Sequence, residues 1–181
     1  MRHLHGFAEI AEQYDGFILD LWGVIHDGVR PLPGAVDTLA RLRAAGKRSV
    51  LLSTAPRRAW AAQASMRGMG IADDLYDGII TSGEAVWFTL RERPDDWWRA
   101  LGSRVFHLGP ERDRNVMEDL DLTIVDDPAD ASFVLNTGPN ALGDVVAGRE
   151  PLPGRGNADV GRADLAHHLG STVGALVCAE A

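Results

Sequence analysis

The sequence predicts an α/β protein: a parallel sheet with crossover helices, followed by a second, smaller α/β unit. Three observations carry this. Short apolar runs at residues 16–20, 48–53 and 79–80 alternate with segments of helical period, the pattern of a parallel sheet. Each connection between them is long enough for a crossover. Polar residues stand just past each run: Asp20, then Ser53 and Thr54, then Thr81 and Ser82. Open α/β sheets bind ligands at that carboxyl edge.

The elements follow in chain order. Residues 7–13, "FAEIAEQ", read as a short helix. Residues 16–20 form the first strand, a continuous apolar run (Phe17, Ile18, Leu19) ended by Asp20, with a turn at Gly23. "HDGVRPLPG" is a loop, marked by Asp-Gly, two prolines and Gly34. Over 35–45 the period becomes helical, with Ala35, Leu39 and Leu42 on one face and Gly46 as the stop. "RSVLLS", 48–53, is a second buried strand, and "TAPRRAWAAQASMRGMG" turns and continues as an alanine-rich helix with Gly70 as its C-cap. Ile79 and Ile80 mark a third strand. A helix starts near Ser82 or Gly83, with Glu84 in the first turn, where the helix dipole favours it.

After "RERPDDWWRALG" the texture changes. Residues 104–109, 122–127 and 132–138 are three further strands, with a helical stretch between the first two. From Pro139 the chain is glycine-rich with little apolar period; it reads as loop with one short helix over 162–169, and residues 173–177 suggest a last strand. The division expected is 1–101 for the main unit and 102–181 for the smaller one.

Composition narrows the function. The chain has 181 residues, 45% hydrophobic and 24% charged, with a net charge of -8. That balance suits a soluble globular protein. It argues against non-specific nucleic-acid binding and against docking on an anionic membrane. No apolar run reaches membrane-span length. The start, "MRHLHGFAEIAEQY", holds Glu9 and Glu12 and lacks the apolar core of a signal peptide, so a cytoplasmic location is expected. The lone cysteine, Cys178, forms no internal disulfide and reads as a small apolar residue.

The chemistry centres on Asp20. A carboxylate at the end of a buried strand, before a tight turn, is placed to attack a phosphoryl group and so divide a difficult hydrolysis into two steps. Phosphoryl transfer wants a divalent cation to offset negative charge, and Mg²⁺ suits carboxylate, carbonyl and water ligands. Ser53, at the end of the second strand, can donate its hydroxyl to a phosphoryl oxygen. Blander roles compete: a turn-capping carboxylate for Asp20, helix capping for Ser53 and Thr54, packing for Trp22, Trp97 and Trp98, an ordinary loop residue for His26. His167 and His168 lack a further ligand partner and read as a surface pair. "GRGNADVG" lacks the glycine spacing and preceding strand of a nucleotide loop.

"FILDLWGVIHDG", "RPLPGAVDTLARLRAAGKRSVLLSTAPRR" and "YDGIITSGEAVW" together resemble the haloacid dehalogenase superfamily, and within it the class IIA branch of p-nitrophenyl phosphatases and sugar- or nucleotide-phosphate phosphatases. "RVFHLGPERD" and "ADASFVLNTGPN" resemble the start of that branch's α/β cap. The resemblance implies a Rossmann-like core with a smaller α/β cap, Mg²⁺-dependent phosphate-ester hydrolysis and a small phosphorylated substrate. It implies that Asp20 is the nucleophile, that Ser53 is the second-motif hydroxyl, and that Asp20 and the backbone carbonyl of Trp22 bind Mg²⁺. The phosphate would lie near Gly23, with Thr54, Ser82 and Gly83 on the substrate side and the last two at the hinge into the cap.

Three departures qualify this. The family's general acid, two residues after the nucleophile, is here Trp22, and an indole cannot deliver that proton. The family's late lysine is missing: Lys47 is the single lysine and precedes the second strand; Arg104, Arg112 and Arg114 are the alternative charges. The family's paired metal-binding aspartates are echoed by Asp126 and Asp127 in "TIVDD", which read either as metal ligands of a capless core or, the favoured reading, as solvated residues ending a cap strand. The expectation is a phosphatase-type hydrolase with weakened or lost activity. The alternatives are a non-catalytic phosphate-binding or interaction module, as a homodimer covering exposed core strands, or a truncated fragment of such a hydrolase.

Overall fold

A computed structural model describes residues 6–138 and 176–178. The expected helix over 162–169 lies outside them. Within the described chain the fold is α/β, and it divides into two compact units.

The first unit comprises Met1–Ser53 and Ala59–Thr81. It holds α1 (Ala8–Ala11), β1 (Gly16–Asp20), α2 (Ala35–Ala44), β2 (Arg48–Ser53), α3 (Ala59–Gly68) and β3 (Gly78–Thr81), with a 3-10 turn at Asp73–Leu75. The strands are parallel and lie in the order β1-β2-β3. Ala35, Leu39 and Leu42 are the buried face of α2. At its end Gly46 N–H donates to Arg43 O and Lys47 N–H to Leu42 O. The same pair of bonds recurs after α3, from Gly70 to Arg67 and from Ile71 to Met66; this is the closing motif that glycine supports at a helix end.

One face of this sheet is packed, and the other carries exposed apolar residues among the described residues. Leu51 is fully buried, and Leu19 and Ile79 join it in a core with Ala35, Leu39, Met66, Ile71 and Tyr76. On the opposite face Ile18 is 75% exposed, Leu52 48% and Ile80 50%. Strand 16–20 is therefore half-exposed, not the continuously buried run that its apolar composition suggested; its burial alternates along the strand. The composition does not say how many layers cover a strand.

The second unit comprises Thr54–Arg58 and the chain from Ser82 onward. It holds α4 (Ser82–Glu92), α5 (Asp96–Ala100), β4 (Arg104–Leu108), β5 (Thr123–Val125), β6 (Phe133–Asn136) and β7 (Leu176–Cys178), with 3-10 segments at Glu111–Met117 and Pro128–Asp130. The sheet order is β5-β4-β6-β7; β4 is parallel to β5 and β6, and β7 is antiparallel to β6. The expected division at residue 101 falls inside this unit. The reason is hydrophobic: Val86, Trp87 and Leu90 of α4 are buried with Leu101, Val105, Val116, Met117, Phe133 and Leu135. The helix at 96–100, where no element was expected, begins at Asp95, whose carboxylate accepts Trp98 N–H. The helical stretch expected after β4 is a 3-10 segment. Among the described residues no helix is long and apolar enough to cross a membrane.

Candidate active site

Asp20 is the last residue of β1 and Ser53 the last of β2. The register pairs Asp20 with Leu52 and Ser53 with Thr81. Both polar residues therefore sit at the carboxyl edge, where alternation along the strands directs their side chains to opposite faces. A ligand beyond the strand ends can be met from both. Asp20 is exposed, and its Oδ1 accepts the N–H of Leu21 at 2.7 Å, which orients the carboxylate.

The turn after Asp20 is built around two buried residues, Leu21 and Ile25. Leu21 O accepts the N–H groups of Ile25 and His26, and Gly23, at φ 77°, donates to His26 O at 2.8 Å. Trp22 is 61% exposed. Its ring lies against Gly28, where a Cβ would come within 2.4 Å of it; the glycine is what lets the loop close over the indole. Asp27, the nearest other carboxylate in sequence, is committed to the turn. It accepts N–H from Val29 and Arg30, and those bonds hold its pKa below the ordinary carboxylate value.

His26, read from the sequence as an ordinary loop residue, is an ionisable group of this turn. Its Nδ1 accepts Gly28 N–H at 3.0 Å. Burial lowers its pKa, while the charges of Asp27 and Asp20 raise it; burial prevails, so the ring is neutral near pH 7. No sequence pattern announced this, because the partner is a backbone amide two residues away.

Thr54, Ser82 and Gly83 belong to the second unit. Thr54 is exposed. Ser82 Oγ donates to Thr54 O at 2.7 Å and lies 3.1 Å from Ala55 O, and Gly83 N–H donates to Ala55 O. A Cβ on Gly83 would meet the Arg57 backbone at 2.4 Å. These two residues thus hold the segment Thr54–Arg58. Arg58 completes the clamp: Nε donates to Glu84 Oε2 at 2.8 Å and an NH2 to Oε1 at 3.1 Å, the guanidinium lies 3.7 Å from the Trp87 ring centroid, and the backbone N–H donates to Asn115 Oδ1. The 26-residue separation of Arg58 and Glu84 left no local signal in the sequence.

The remaining candidates are engaged elsewhere. Arg104 pairs with Asp130, Arg114 with Glu111, and Arg112 approaches the buried Asp113 with Arg57. Burial raises the Asp113 pKa against the pull of Arg57 and Arg112. Asp126 and Asp127 are exposed, and Asp127 caps a 3-10 turn through Ala129 N–H, as solvated strand-end residues do. Among the described residues no group of three His, Cys, Asp or Glu side chains is placed to hold a metal. The carboxylate of Asp20 and the backbone carbonyl of Trp22, the donors expected for Mg²⁺, are both oxygen groups, the donor type that ion takes alongside water and phosphate.

A family model for haloacid dehalogenase-like hydrolases matches residues 17–123. The chain belongs to this family. A 4-nitrophenylphosphatase from Schizosaccharomyces pombe is 27% identical over 107 residues, 57% of this chain and 34% of that protein. Among solved structures, a haloacid dehalogenase-like hydrolase from Brucella suis superposes with a TM-score of 0.66 at 29% identity, covering 75% of this chain and 46% of that one. A 4-nitrophenylphosphatase from Thermotoga maritima superposes at 0.51 with 26% identity, covering 69% and 45%. The haloacid dehalogenase-like chain thus spans under half the length of these relatives.

Proposed function

We propose that this chain hydrolyses small phosphate monoesters through a phosphoryl group carried on Asp20. The observation that carries the reading is an exposed carboxylate at the carboxyl end of β1, oriented by Leu21 N–H beside the end of β2. A carboxylate oxygen of Asp20 attacks phosphorus and the bond to the ester oxygen breaks, leaving an acyl phosphate on Asp20 and an alkoxide or phenoxide. Water then attacks that acyl phosphate, releasing inorganic phosphate and restoring the carboxylate. The Ser53 hydroxyl donates to a phosphoryl oxygen, where negative charge must be held. Asp20 and the Trp22 carbonyl are the oxygen donors for Mg²⁺, which when bound offsets the charge of nucleophile and phosphate. Trp22 supplies no proton to the leaving group, so esters of acidic alcohols such as p-nitrophenol are the substrates it handles best. The chemistry of the family and the 4-nitrophenylphosphatase relatives support this reading.

The test is turnover of p-nitrophenyl phosphate with Mg²⁺ by the chain and by Asp20→Asn. A rate that falls to background in the variant, and on chelation of Mg²⁺, is expected; equal rates overturn the proposal. The exchange of an acid for Trp22 favours a second reading, a phosphate-binding module without turnover, for which phosphate binding would persist with no catalysis.

A further inference from the structure

The turn after Asp20 fixes a second polar side chain in its neighbourhood. Leu21 O accepts the N–H of Ile25 at 2.9 Å and of His26 at 3.1 Å, and His26 O accepts Gly23 N–H at 2.8 Å. The His26 backbone is bridged to Trp22 and to Pro31. Asp20 and His26 are thus the two ends of one closed turn, built on the buried Leu21 and Ile25. The His26 ring is held too. Its Nδ1 accepts Gly28 N–H at 3.0 Å, and it meets the Trp22 indole edge to face, with centroids 6.1 Å apart. An amide N–H cannot donate to a protonated nitrogen. The Gly28 bond therefore assigns Nδ1 as the bare nitrogen and Nε2 as the N–H. Nε2 bonds to no other group among the described residues, and the residue is only part-buried. The Asp20 charge acts on this ring, and exposed charges more than about 10 Å apart are largely screened from each other.

We propose that His26 is a further catalytic residue of the phosphatase reaction, donating from its Nε2–H to an oxygen of the phosphoryl group that Asp20 attacks. This role rests on the phosphatase reading of Asp20. The chemistry has a place for such a donor. Charge in phosphoryl transfer spreads over the three equatorial oxygens of the transferring group, and Ser53 offers a single hydroxyl. A donor fixed in advance costs no reorganisation at the moment of reaction. The bond from Gly28 supplies that fixing: it holds the ring in one orientation and in one tautomer. The same bond opposes proton shuttling. Nε2 carries the one ring proton, and losing it would require Nδ1 to take another in exchange, where Gly28 N–H already donates. His26 therefore holds charge and hands over no proton. The bonds made and broken remain those between phosphorus, Asp20, the ester oxygen and water.

The experiment compares the full chain with His26→Asn and His26→Gln. It measures turnover of p-nitrophenyl phosphate with Mg²⁺ and calorimetric titration with inorganic phosphate and Mg²⁺, with circular dichroism melts to verify folding. Asn places an oxygen where Nδ1 lies, so it keeps the bond from Gly28 N–H, but it has no N–H as far out as Nε2. Gln places an N–H near Nε2 and gives up the Gly28 bond. A residue that only closes the turn would tolerate Asn and suffer from Gln. A phosphate donor gives the reverse. Asn should lower kcat by about 100-fold and phosphate affinity by about 10-fold, with the melt unchanged, and Gln should restore most of both. A folded Asn variant with wild-type kcat and phosphate affinity, or a folded Gln variant no better than Asn, overturns the proposal. Should Asn not fold, Gln decides: phosphate affinity kept supports the donor, and affinity lost overturns it. The phosphatase reading fails separately, if the wild type binds phosphate without turnover; the phosphate titrations then decide on His26 alone. A wild type that neither turns over the ester nor binds phosphate overturns both.

Discussion

Asp20 lies in register with Leu52, one residue short of Ser53, so the two polar residues end neighbouring strands from opposite faces of the pleat. In the proposed mechanism the two would do unequal work: Asp20 would make and break a bond to phosphorus, and Ser53 would contribute one hydrogen bond to charge on a phosphoryl oxygen. Ser53→Ala should therefore lower kcat for p-nitrophenyl phosphate by about 100-fold, the loss typical of one charge-stabilising donor, while Asp20→Asn removes turnover altogether. Steady-state kinetics on the two variants checks this, and a Ser53→Ala rate equal to wild type would remove Ser53 from the site.

Trp22 makes a sharper claim. Its ring is fitted to Gly28, so the turn accommodates an indole where proton transfer to the leaving group would need an acid. Trp22→Asp should raise turnover of alkyl phosphates by about 100-fold or more, the range of general acid catalysis. Turnover of p-nitrophenyl phosphate, whose leaving group needs little protonation, should change far less. A plot of rate against leaving-group pKa measures the difference directly: its slope should flatten in the variant.

How much of this was legible in the sequence differs between the two units. In the first, each strand and α-helix follows a local signal, while the 3-10 segment Asp73–Leu75 was not anticipated. The apolar spacing of Ala35, Leu39 and Leu42 gave α2, Gly46 and Gly70 gave its stop and that of α3, and the runs before Asp20, Ser53 and Thr81 gave the strands. The exposed apolar face was not legible, because exposure of Ile18 and Leu52 depends on which way the crossovers step. In the second unit the decisive contacts are long-range. Nothing near Thr54 in the sequence says that Arg58 will meet Glu84 and Trp87. The placement of Asp20 at a strand end before a turn was legible because strand end and turn are adjacent in sequence. The roles of Ser82 and Gly83 were not, because their partners, Thr54, Ala55 and Arg57, lie on another segment.

That clamp predicts a stability effect. The Arg58 and Glu84 side chains are both largely buried, and their ion pair is bidentate. Removing one charge leaves the other buried without compensation, which costs about 3 kcal/mol in such pairs. Glu84→Gln should lower the unfolding free energy of the second unit by that order. Gly83→Ala should also destabilise it, by about 2 kcal/mol, because the new Cβ meets backbone that cannot swing aside. Urea denaturation followed by Trp87 fluorescence reads both; an unchanged midpoint in either variant would contradict the clamp.

His107 makes the second unit sensitive to acid. It ends its burial run on β4, with Nε2 2.8 Å from Thr137 Oγ1 and Nδ1 buried without a hydrogen-bond partner among the described residues. Burial lowers its pKa below 6.5; the positive charge of Arg114 lowers it further, and Glu111 opposes. The unfolded chain, with an ordinary histidine, binds the proton more readily than the folded one. Stability from this group is therefore fully present above about pH 6.5 and is lost as pH falls through that value toward the lower folded pKa. Protonation would place a cation at Nδ1 with no acceptor. Urea midpoints measured from neutral to mildly acidic pH should decline for the wild type. The decline should be shallower in His107→Gln, which has no charge to gain, even if that variant is less stable at neutral pH. His26, whose pKa is also lowered by burial, adds a decline of the same sign from the first unit, so His26→Gln serves as the parallel control. An identical pH slope in wild type and His107→Gln would show that the imidazole is not held neutral in the fold.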